Sequence, residues 1–390
     1  MHLSATVLSY WLFAYKNSLL TAHQRSDVIS YVTLGVQSVQ YVVQTIVVFV
    51  YRNYYLYVLV TIFAQILLNV VTAVAAQKMY PQYMPKGRLE RGQIKEINQR
   101  IKDLFTSKVG EVIVNSADMI VISAFLGLIM LAVYNNYYYI LSSVMGFVVI
   151  LFTSCTAGVG NSLLTETKQK NMEDMNTFVM LISWISTFCA ACFLCLYQPF
   201  MVIWMGDSML LPYGCVICLA IYFYVRMINQ VFVVYKDAAG MWHEDRFRPL
   251  CTALSNLVLN LLMVQIVGIY GILLSTVFST VCIGSPWLIH NLYSVVFKVS
   301  PIQFIRKIAK HIIISVTICI FCVLGCSIIS IDGLTGLGLR LLICIMLVNA
   351  LVFLFYRMDS DMRRVLVLVD RIIGVKVSLI HKILIWLQKF

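Results

Sequence analysis

The sequence predicts an all-α protein that crosses a membrane about eleven times, and three observations support this prediction. Of the 390 residues, 61% are hydrophobic and 12% are charged, and the mean hydropathy is +0.88. Soluble domains carry about 25% charged residues, and disordered chains are far less apolar, so both classes are excluded. The apolar residues also form stretches long enough to cross a bilayer, and lysines and arginines collect between alternate stretches.

Eleven stretches contain the ~20 mostly apolar residues that a membrane-spanning helix needs. In chain order these are Ser4–Ala22, Ile29–Val50, Tyr55–Ala76, Val109–Val133, Tyr137–Cys155, Phe178–Phe200, Leu211–Tyr235, Leu250–Val267, Tyr270–Ile289, His311–Ser330 and Leu337–Tyr356. The first stretch is the weakest candidate, because it contains Lys16 and Asn17. A tight turn around Gly268 separates the eighth stretch from the ninth.

The positive charges predict how these spans are oriented. The 29 lysines and arginines against 17 aspartates and glutamates give a formal net charge of +12. Cytoplasmic loops of membrane proteins collect Lys and Arg, so the excess indicates topology, and we expect no nucleic acid as a partner. If residues 77–108 are cytoplasmic and the sides alternate, nearly all the cations lie on the cytoplasmic side. The exceptions are Arg52 and Arg340 outside and Lys16 and Arg226 within spans.

The outer loops that this topology leaves are short, and Tyr134–Asn136 is predicted to be one of them. The tyrosines beside it are expected in an aromatic belt or in a surface that stacks on sugars. Membrane polymerases and glycosyltransferases that act outside the cell carry large outer loops, which argues against an enzyme. No HExxH, GxSxG, P-loop or GxGxxG pattern occurs in a usable context. We therefore expect no catalysis, no cofactor and no direct use of ATP.

Three of the twelve cysteines, Cys189, Cys192 and Cys195, lie one helical turn apart within an apolar stretch. Zinc sites of the CxxC type lie in polar loops with a second CxxC pair or histidines. Neither accompanies these residues, so the sequence predicts buried membrane cysteines, no metal site and no disulfides.

Two segments near the C-terminus look interfacial. Residues 297–310 mix apolar side chains with four cations. In the tail, apolar residues recur at steps of three and four from Leu366 to Leu387, with cations largely on the other face. This pattern predicts a basic amphipathic helix on the inner leaflet, with membrane lipids as partners. A twelfth span is the alternative.

An internal repeat relates two parts of the chain. Tyr15-Lys16-Asn17, followed by Ala22-His23-Gln24, recurs 220 residues later as Tyr235-Lys236-Asp237, followed by Trp242-His243-Glu244. Both copies fall at the predicted cytoplasmic end of a span that descends from outside. The matching topology predicts two related lobes in parallel orientation, each with six spans.

This repeat predicts the organisation of the chain. A complete first lobe requires about 110 residues before Met1, so we expect that lobe to be incomplete. The expected regions are residues 1–76, the second half of the N-terminal lobe; 77–108, a cytoplasmic inter-lobe loop; 109–290, the C-terminal lobe; 291–356, an interfacial segment and two extra spans; and 357–390, a basic tail.

Several strings of residues, together with this arithmetic, resemble bacterial polysaccharide-biosynthesis flippases of the MOP superfamily, which have a MATE-like two-lobe fold. The strings are Phe13-Ala14-Tyr15-Lys16, Ala22-His23-Gln24-Arg25, Ile122-Ser123-Ala124-Phe125-Leu126-Gly127, Tyr134-Asn135-Asn136-Tyr137-Tyr138-Tyr139, Ala157-Gly158-Val159-Gly160-Asn161-Ser162, Tyr197-Gln198-Pro199-Phe200 and Tyr235-Lys236-Asp237-Ala238-Ala239-Gly240. The resemblance extends over about residues 3–298.

The resemblance implies a multi-pass transporter in the bacterial inner membrane. It would flip undecaprenyl-diphosphate-linked oligosaccharide units for surface polysaccharide such as O-antigen or lipopolysaccharide, by alternating access. Its implied partners are the lipid-linked oligosaccharide and the machinery that polymerises it. Two alternatives stay open, an ion-coupled exporter of small molecules with an aromatic cavity and a membrane polysaccharide polymerase.

Asp118 and Arg226 are the ionisable residues nearest the predicted membrane midplane. Each lies nine residues into its span, roughly 14 Å deep, where a charge is costly and usually functional. One interpretation is an ion pair that holds two helices together. In the other, Arg226 binds the diphosphate of the lipid-linked sugar and Asp118 takes the coupling proton or cation. Arginine suits phosphate because its planar guanidinium binds bidentately.

Lys16 and Lys236 occupy matching positions of the repeat. Lys16 is close enough to the inner end of its span to reach the headgroups. Alternatively, both lysines surround the cytoplasmic mouth of the cavity and attract the diphosphate. His23, Arg25, His243 and Arg246 are expected to orient the loops between spans.

Overall fold

The computed structural model describes residues 14–23, 25–83, 89–329, 331 and 333–371, and its regular elements over these residues are all helices. Within this part of the chain, nine helical segments are long and apolar enough to cross a membrane. They correspond to nine of the eleven predicted spans, which confirms the all-α, multi-pass fold. Residues 4–13 of the first predicted span and residues 372–390 of the tail lie outside the described residues.

The chain divides into two compact units, residues 1–90 and 91–390. The first unit contains α1 (Ala14–Ala22), α2 (Ser26–Ile46, extended by the π-helical turn Val47–Tyr51) and α3 (Tyr54–Met79). The Asn53 side chain caps α3 by accepting hydrogen bonds from the amides of Tyr55 and Leu56. Gln44, which is buried in α2, donates a 2.9 Å hydrogen bond to the Thr61 hydroxyl of α3.

The second unit contains the remaining helices. They are α4 (Arg91–Phe125), α5 (Gly127–Thr153), α6 (Thr156–Thr165), α7 (Lys168–Met205), α8 (Tyr213–Ala238), α9 (Trp242–Asp245), α10 (Arg248–Val267), α11 (Ile269–Ser279), α12 (Ser285–Asn291), α13 (Ile302–Ser327), α14 (Gly333–Tyr356) and α15 (Ser360–Val369). Two π-helical segments, Thr280–Gly284 and Leu292–Phe297, flank α12.

Aromatic side chains form the core of the second unit around α8. Phe223, Phe232 and Tyr235 of α8 are almost completely buried. The Phe223 ring packs edge-on against Phe193 of α7, and the Phe232 ring packs edge-on against Phe304 of α13. Such edge-to-face pairs add to the stabilisation that comes from buried area alone. The packing therefore holds α8, and the side chains that it carries, in a defined position.

The predicted outer loop at Tyr134–Asn136 is wrong. These residues lie within α5, and the chain instead turns between Phe125 and Gly127, where Gly127 has φ +86°. Glycine adopts this backbone conformation without the steric cost that other residues meet. Tyr137 is buried, and its hydroxyl donates to Gln198 Oε1 at 3.1 Å. This side chain therefore belongs to the core and is not part of a surface belt.

Three further segments differ from their predictions. α4 begins at Arg91, so part of the predicted inter-lobe loop is helical and the predicted fourth span is the second half of a longer helix. Phe297 is buried, and residues 302–310 form the first turns of the unbroken helix α13, so residues 297–310 are not a separate helix, and their position at the membrane interface stays a prediction. Hydropathy does not show where such a helix begins, because an amphipathic segment next to an apolar span has the same residue pattern whether it belongs to the same helix or to a separate one.

The first part of the predicted amphipathic tail packs on protein. Its apolar residues Met362, Val365 and Leu366 are buried within the second unit. The buried Asp361 carboxylate accepts a hydrogen bond from Lys307 Nζ at 2.7 Å, and Arg364 bonds Glu173 at 2.9 Å. Over residues 360–371, the predicted contact with the inner leaflet is therefore replaced by a contact with α7 and α13.

α4 and α10 approach each other closely. A Cβ atom added at Gly110 of α4 would lie 2.5 Å from the Pro249 carbonyl carbon of α10. Real Cβ atoms do not approach a backbone atom to this distance, so only glycine permits the contact.

Candidate functional site

The second unit contains a cavity with four cationic side chains in its wall. Its volume is about 360 Å³, and it lies between α4, α5, α8 and α10. The cations are Lys108, Arg226, Lys236 and Arg248, and the lining includes one carboxylate, Asp237. We call it the basic cavity. Two residues that the sequence singled out, Arg226 and Lys236, therefore line the same space.

Lys236 is held in place from three sides. Its Nζ lies 2.7 Å from Asp237 Oδ1, 3.9 Å from Asp245 Oδ2 and 4.1 Å from the centre of the Trp242 ring. Trp242 reaches this position because α8 ends at Ala238 and the chain turns at Gly240, which has φ +67°. The side chain is only 6% exposed.

Arg248 is held in place by the Asp245 carboxylate, which also lies near Lys236. Its Nε and Nη2 donate to the two oxygens of Asp245 at 2.6 and 2.7 Å, and Asp245 is 1% exposed. Bidentate pairs of this kind fix the plane of the guanidinium as well as its position. Asp245 thus orients two cations in the wall of the basic cavity.

His243 and Arg246 orient the connection between α8 and α10, as the sequence predicted. His243 Nδ1 lies 3.0 Å from Asp103 Oδ2, and Arg246 Nη1 donates to Asp103 Oδ1 at 3.4 Å. Burial raises the pKa of the Asp103 carboxyl, but the hydrogen bonds from His243 and Arg246 outweigh this effect, so its pKa lies below the usual value. These contacts tie α9 to α4.

Asp118 is not part of the described lining of the basic cavity and lies in a polar cluster of its own. Its carboxylate is buried and accepts hydrogen bonds from Asn260 Nδ2 at 2.8 Å and from Thr276 Oγ1 at 3.2 Å. The Arg226 guanidinium acts on this carboxylate through its charge. Asp118 thus has hydrogen-bond partners of its own, and both interpretations of Asp118 and Arg226 stay predictions.

The cluster around Asp118 extends over three helices. Asn256 Nδ2 donates to Thr276 Oγ1 at 2.8 Å, and the Ser275 hydroxyl donates to Asn260 Oδ1. We call Asp118, Asn256, Asn260, Ser275 and Thr276 the Asp118 cluster. Carboxylate, amide and hydroxyl oxygens are the ligands that hard cations prefer, so this cluster can hold a proton or a small hard cation.

Sequence reasoning missed the partners of Asp118. Their signal is present, because Asn256 and Asn260 stand one turn apart in an apolar span and Ser275-Thr276 interrupts the next one. Polar residues inside membrane helices commonly bond a neighbouring helix. The sequence does not identify which helix face meets Asp118, so only the packing of α4, α10 and α11 reveals the cluster.

Lys16 belongs to the first unit. It is half-buried near the start of α1, and its Nζ lies 5.6 Å from the centre of the Tyr15 ring. His23, at the end of the same helix, stacks on the Tyr80 ring with the ring centres 4.2 Å apart. The proposed role of Lys16 in a cytoplasmic mouth stays a prediction.

Comparisons with known proteins identify the fold. No protein-family model matches the chain, and no curated protein matches its sequence. Among solved structures, the fold is similar to that of "Lipid II flippase MurJ, inward closed conformation", with a TM-score of 0.64. The match covers 90% of this chain and 72% of the other, at 14% sequence identity. At this identity the likeness shows the fold of a polytopic membrane protein.

Proposed function

We propose that this protein is a flippase that moves a lipid-linked oligosaccharide, carried on undecaprenyl diphosphate, from the inner to the outer leaflet of a bacterial inner membrane. The product would serve surface polysaccharide synthesis. The observation that carries the proposal is the basic cavity, because its wall has four cations and one carboxylate and therefore favours an anionic group such as a diphosphate. A fold similar to that of a lipid II flippase supports the same class of substrate.

The residues of the basic cavity suit different parts of such a substrate. Arg226 would bind the diphosphate bidentately, and Lys236 and Arg248 present charges already oriented by Asp237 and Asp245. Asn229 and Gln230, which also line the cavity, can hydrogen-bond sugar hydroxyls. A volume of about 360 Å³ suits the diphosphate and its first sugar, near the lower end of ligand pockets at roughly 300–1,000 Å³.

The composition of the cavity wall disfavours the alternative of a drug exporter. That function predicts an aromatic, weakly charged cavity, whereas the described lining of the basic cavity has four cations and one aromatic residue, Trp242. The Trp242 ring is itself covered by Lys236. An anionic ligand therefore fits this wall better than a flat apolar one.

The Asp118 cluster would couple transport to an ion. A proton or cation bound at Asp118 neutralises the carboxylate that acts on Arg226, so Arg226 then presents more of its charge to a diphosphate. Linkage is reciprocal, so the diphosphate would raise the affinity of the cluster for the ion by the same factor. Transport would proceed by alternating access between inward-open and outward-open states, as in other transporters built from repeats.

Flipping of a fluorescent undecaprenyl-diphosphate-linked sugar by the purified full chain in liposomes tests this proposal. Arg226→Lys should be impaired and Arg226→Ala more so, because the first keeps the charge and the second removes it. Arg100→Ala is the matched control, since Arg100 is exposed on α4 and pairs with Glu96 of the same helix. Reconstituted protein is quantified so that folding and transport are separated.

The double variant Asp118→Ala with Arg226→Ala distinguishes the two roles of Arg226. If Arg226 binds substrate, the double variant stays inactive at normal abundance. Recovery of flipping in the double variant would show that Arg226 only balances Asp118, and the diphosphate site would be lost from the proposal.

A further inference from the structure

A group of buried cysteines lies between α7, α13 and α14, away from the residues of the basic cavity. The sulfur atoms of Cys195, Cys326 and Cys344 all lie within 4.8 Å of one another, and all three residues are buried. The Cys326 and Cys344 sulfurs are 3.9 Å apart. The sequence pattern did not reveal this group, because each member comes from a different helix.

Two more thiols surround the same point. Cys192 precedes Cys195 by one turn of α7, and Cys322 precedes Cys326 by one turn of α13. Both thiols lie beside the Cys344 sulfur. The group thus has an inner set of three sulfurs and two further thiols next to Cys344.

The spacing of the inner set suits a single ion. Three sulfurs around one ion, with thiolate bonds of about 2.3 Å, lie roughly 4.0 Å from one another. The observed separation of 3.9 Å for Cys326 and Cys344 matches this value, and the limit of 4.8 Å on the others leaves a shift of less than one ångström.

The present partners of these thiols are weak. The Cys326 thiol faces the Arg340 carbonyl oxygen at 3.7 Å, and the Cys344 thiol faces the Ala191 carbonyl oxygen at 4.0 Å. An ion that binds the sulfurs would therefore replace only these two weak contacts. The half-buried Arg340 also acts on Cys326 through its charge, which can balance a negative thiolate site.

The chemistry of the group selects the ion. Thiolates prefer soft ions, above all Cu(I), zinc and iron–sulfur clusters. Structural zinc takes four ligands, whereas within the described chain the compact group contains three cysteines and no histidine or carboxylate. An apolar groove of about 330 Å³ between α5, α7 and α14 is lined in part by Cys192.

We propose that Cys195, Cys326 and Cys344 form a Cu(I) site with three sulfur ligands. Two protons leave as two of the thiols become thiolates, and the third sulfur binds as the neutral thiol, so the occupied site carries one negative charge beside Arg340. Cys192 and Cys322 are positioning residues next to Cys344. The site is independent of the function proposed for the basic cavity.

Titration of the purified full chain with Cu(I), under anaerobic reducing conditions against a Cu(I) chelator, tests this proposal. One copper per chain should resist the chelator and give an ultraviolet thiolate-to-copper band. Cys344→Ser or Cys326→Ser should lose both, and Cys322→Ser should weaken binding by about 10- to 100-fold. Cys251→Ser and Cys282→Ser are matched controls on exposed cysteines and should bind like the original chain.

Thermal unfolding of each variant without copper separates loss of the site from loss of the fold. Bound Cu(I) should also protect Cys192 from maleimide in the original chain and not in Cys195→Ser, which gives a second readout. Copper binding that survives Cys344→Ser and Cys326→Ser would overturn the proposal. So would binding of zinc at one ion per chain with no retention of Cu(I).

Discussion

The two copies of the repeat place their lysines in different surroundings. Lys236 contacts Asp237, Trp242 and Asp245, and all three contacts hold its ammonium group in one position. At the matching positions around Lys16 the first copy has Asn17, Ala22 and Arg25. Each change removes a group that could hold a cation.

A glycine explains part of this difference. Gly240 ends the helix in the second copy and turns the chain so that Trp242 covers Lys236. Leu20 stands at the matching position of the first copy, is buried, and lies inside α1, which continues to Ala22. The comparison shows that one repeated motif can give a fixed cation in one unit and a more adaptable one in the other.

Lys236→Met should have the largest effect on this comparison. It removes the 2.7 Å partner of Asp237, which is one-third exposed, while Asp245 keeps Arg248. The expected loss of unfolding free energy is therefore about 3 kcal/mol, the lower end of the cost of breaking a buried pair. Lys16→Met should cost less than about 1 kcal/mol, as for other exposed or snorkelling lysines. Thermal unfolding in detergent measures both. Lys236→Arg, which keeps the charge, is the control, and equal losses for Lys16→Met and Lys236→Met would contradict the comparison.

The hairpin turns that follow the two copies give a second, smaller contrast. The turn between α10 and α11 uses Gly268 at φ +60° and ψ −133°, a region essentially restricted to glycine. The turn between α2 and α3 uses Arg52 at φ +47° and ψ +35°. Gly268→Ala should destabilise by about 1–3 kcal/mol, whereas Arg52→Gly should be neutral or stabilising by up to about 1 kcal/mol.

The same unfolding assay checks the turn variants. The expected signs are opposite, so a loss of stability in Arg52→Gly as large as that in Gly268→Ala would show that the Arg52 side chain, and not the backbone conformation, matters at that turn.

Lowering the pH should give the smallest difference between the two copies of the repeat. Because the pKa of Asp103 is lowered in the folded protein, its contacts with His243 and Arg246 stabilise α9 at neutral pH. This stabilisation is lost as pH falls through the lowered pKa, below about pH 4. His23, at the matching position, stacks on the Tyr80 ring instead.

Hydrogen exchange of the amides near His243 and near His23 measures this contrast. The protection factor of the amides near His243, which corrects for the slower intrinsic exchange in acid, should fall as the pH is lowered, and the protection factor near His23 should change less. Asp103→Asn should remove the acid response, and an unchanged response in that variant would assign it to another group.

Composition and charge pattern were sufficient to predict the helical, multi-pass fold, because the requirement for ~20 apolar residues leaves few alternatives. The break at Gly127 was missed, since Asn135-Asn136 is the more polar site and hydropathy does not register a positive φ. The depth argument could single out Asp118 and Arg226 together, because equal depth on two spans is visible in the sequence, and the roles assigned to them stay predictions. The hydrogen bonds of Asn260 and Thr276 to Asp118 could not be predicted, because they depend on how each helix is rotated about its axis.

The long helix α4 has a mechanical consequence. Its 35 residues extend over roughly 52 Å, well beyond a hydrocarbon core of about 30 Å. The close contact of Gly110 with Pro249 falls inside this length. One rigid helix therefore connects Asp118, on one side of this contact, with Arg91, some 40 Å away along the axis on the other side, so a tilt of α4 about the contact would move these two levels in opposite directions.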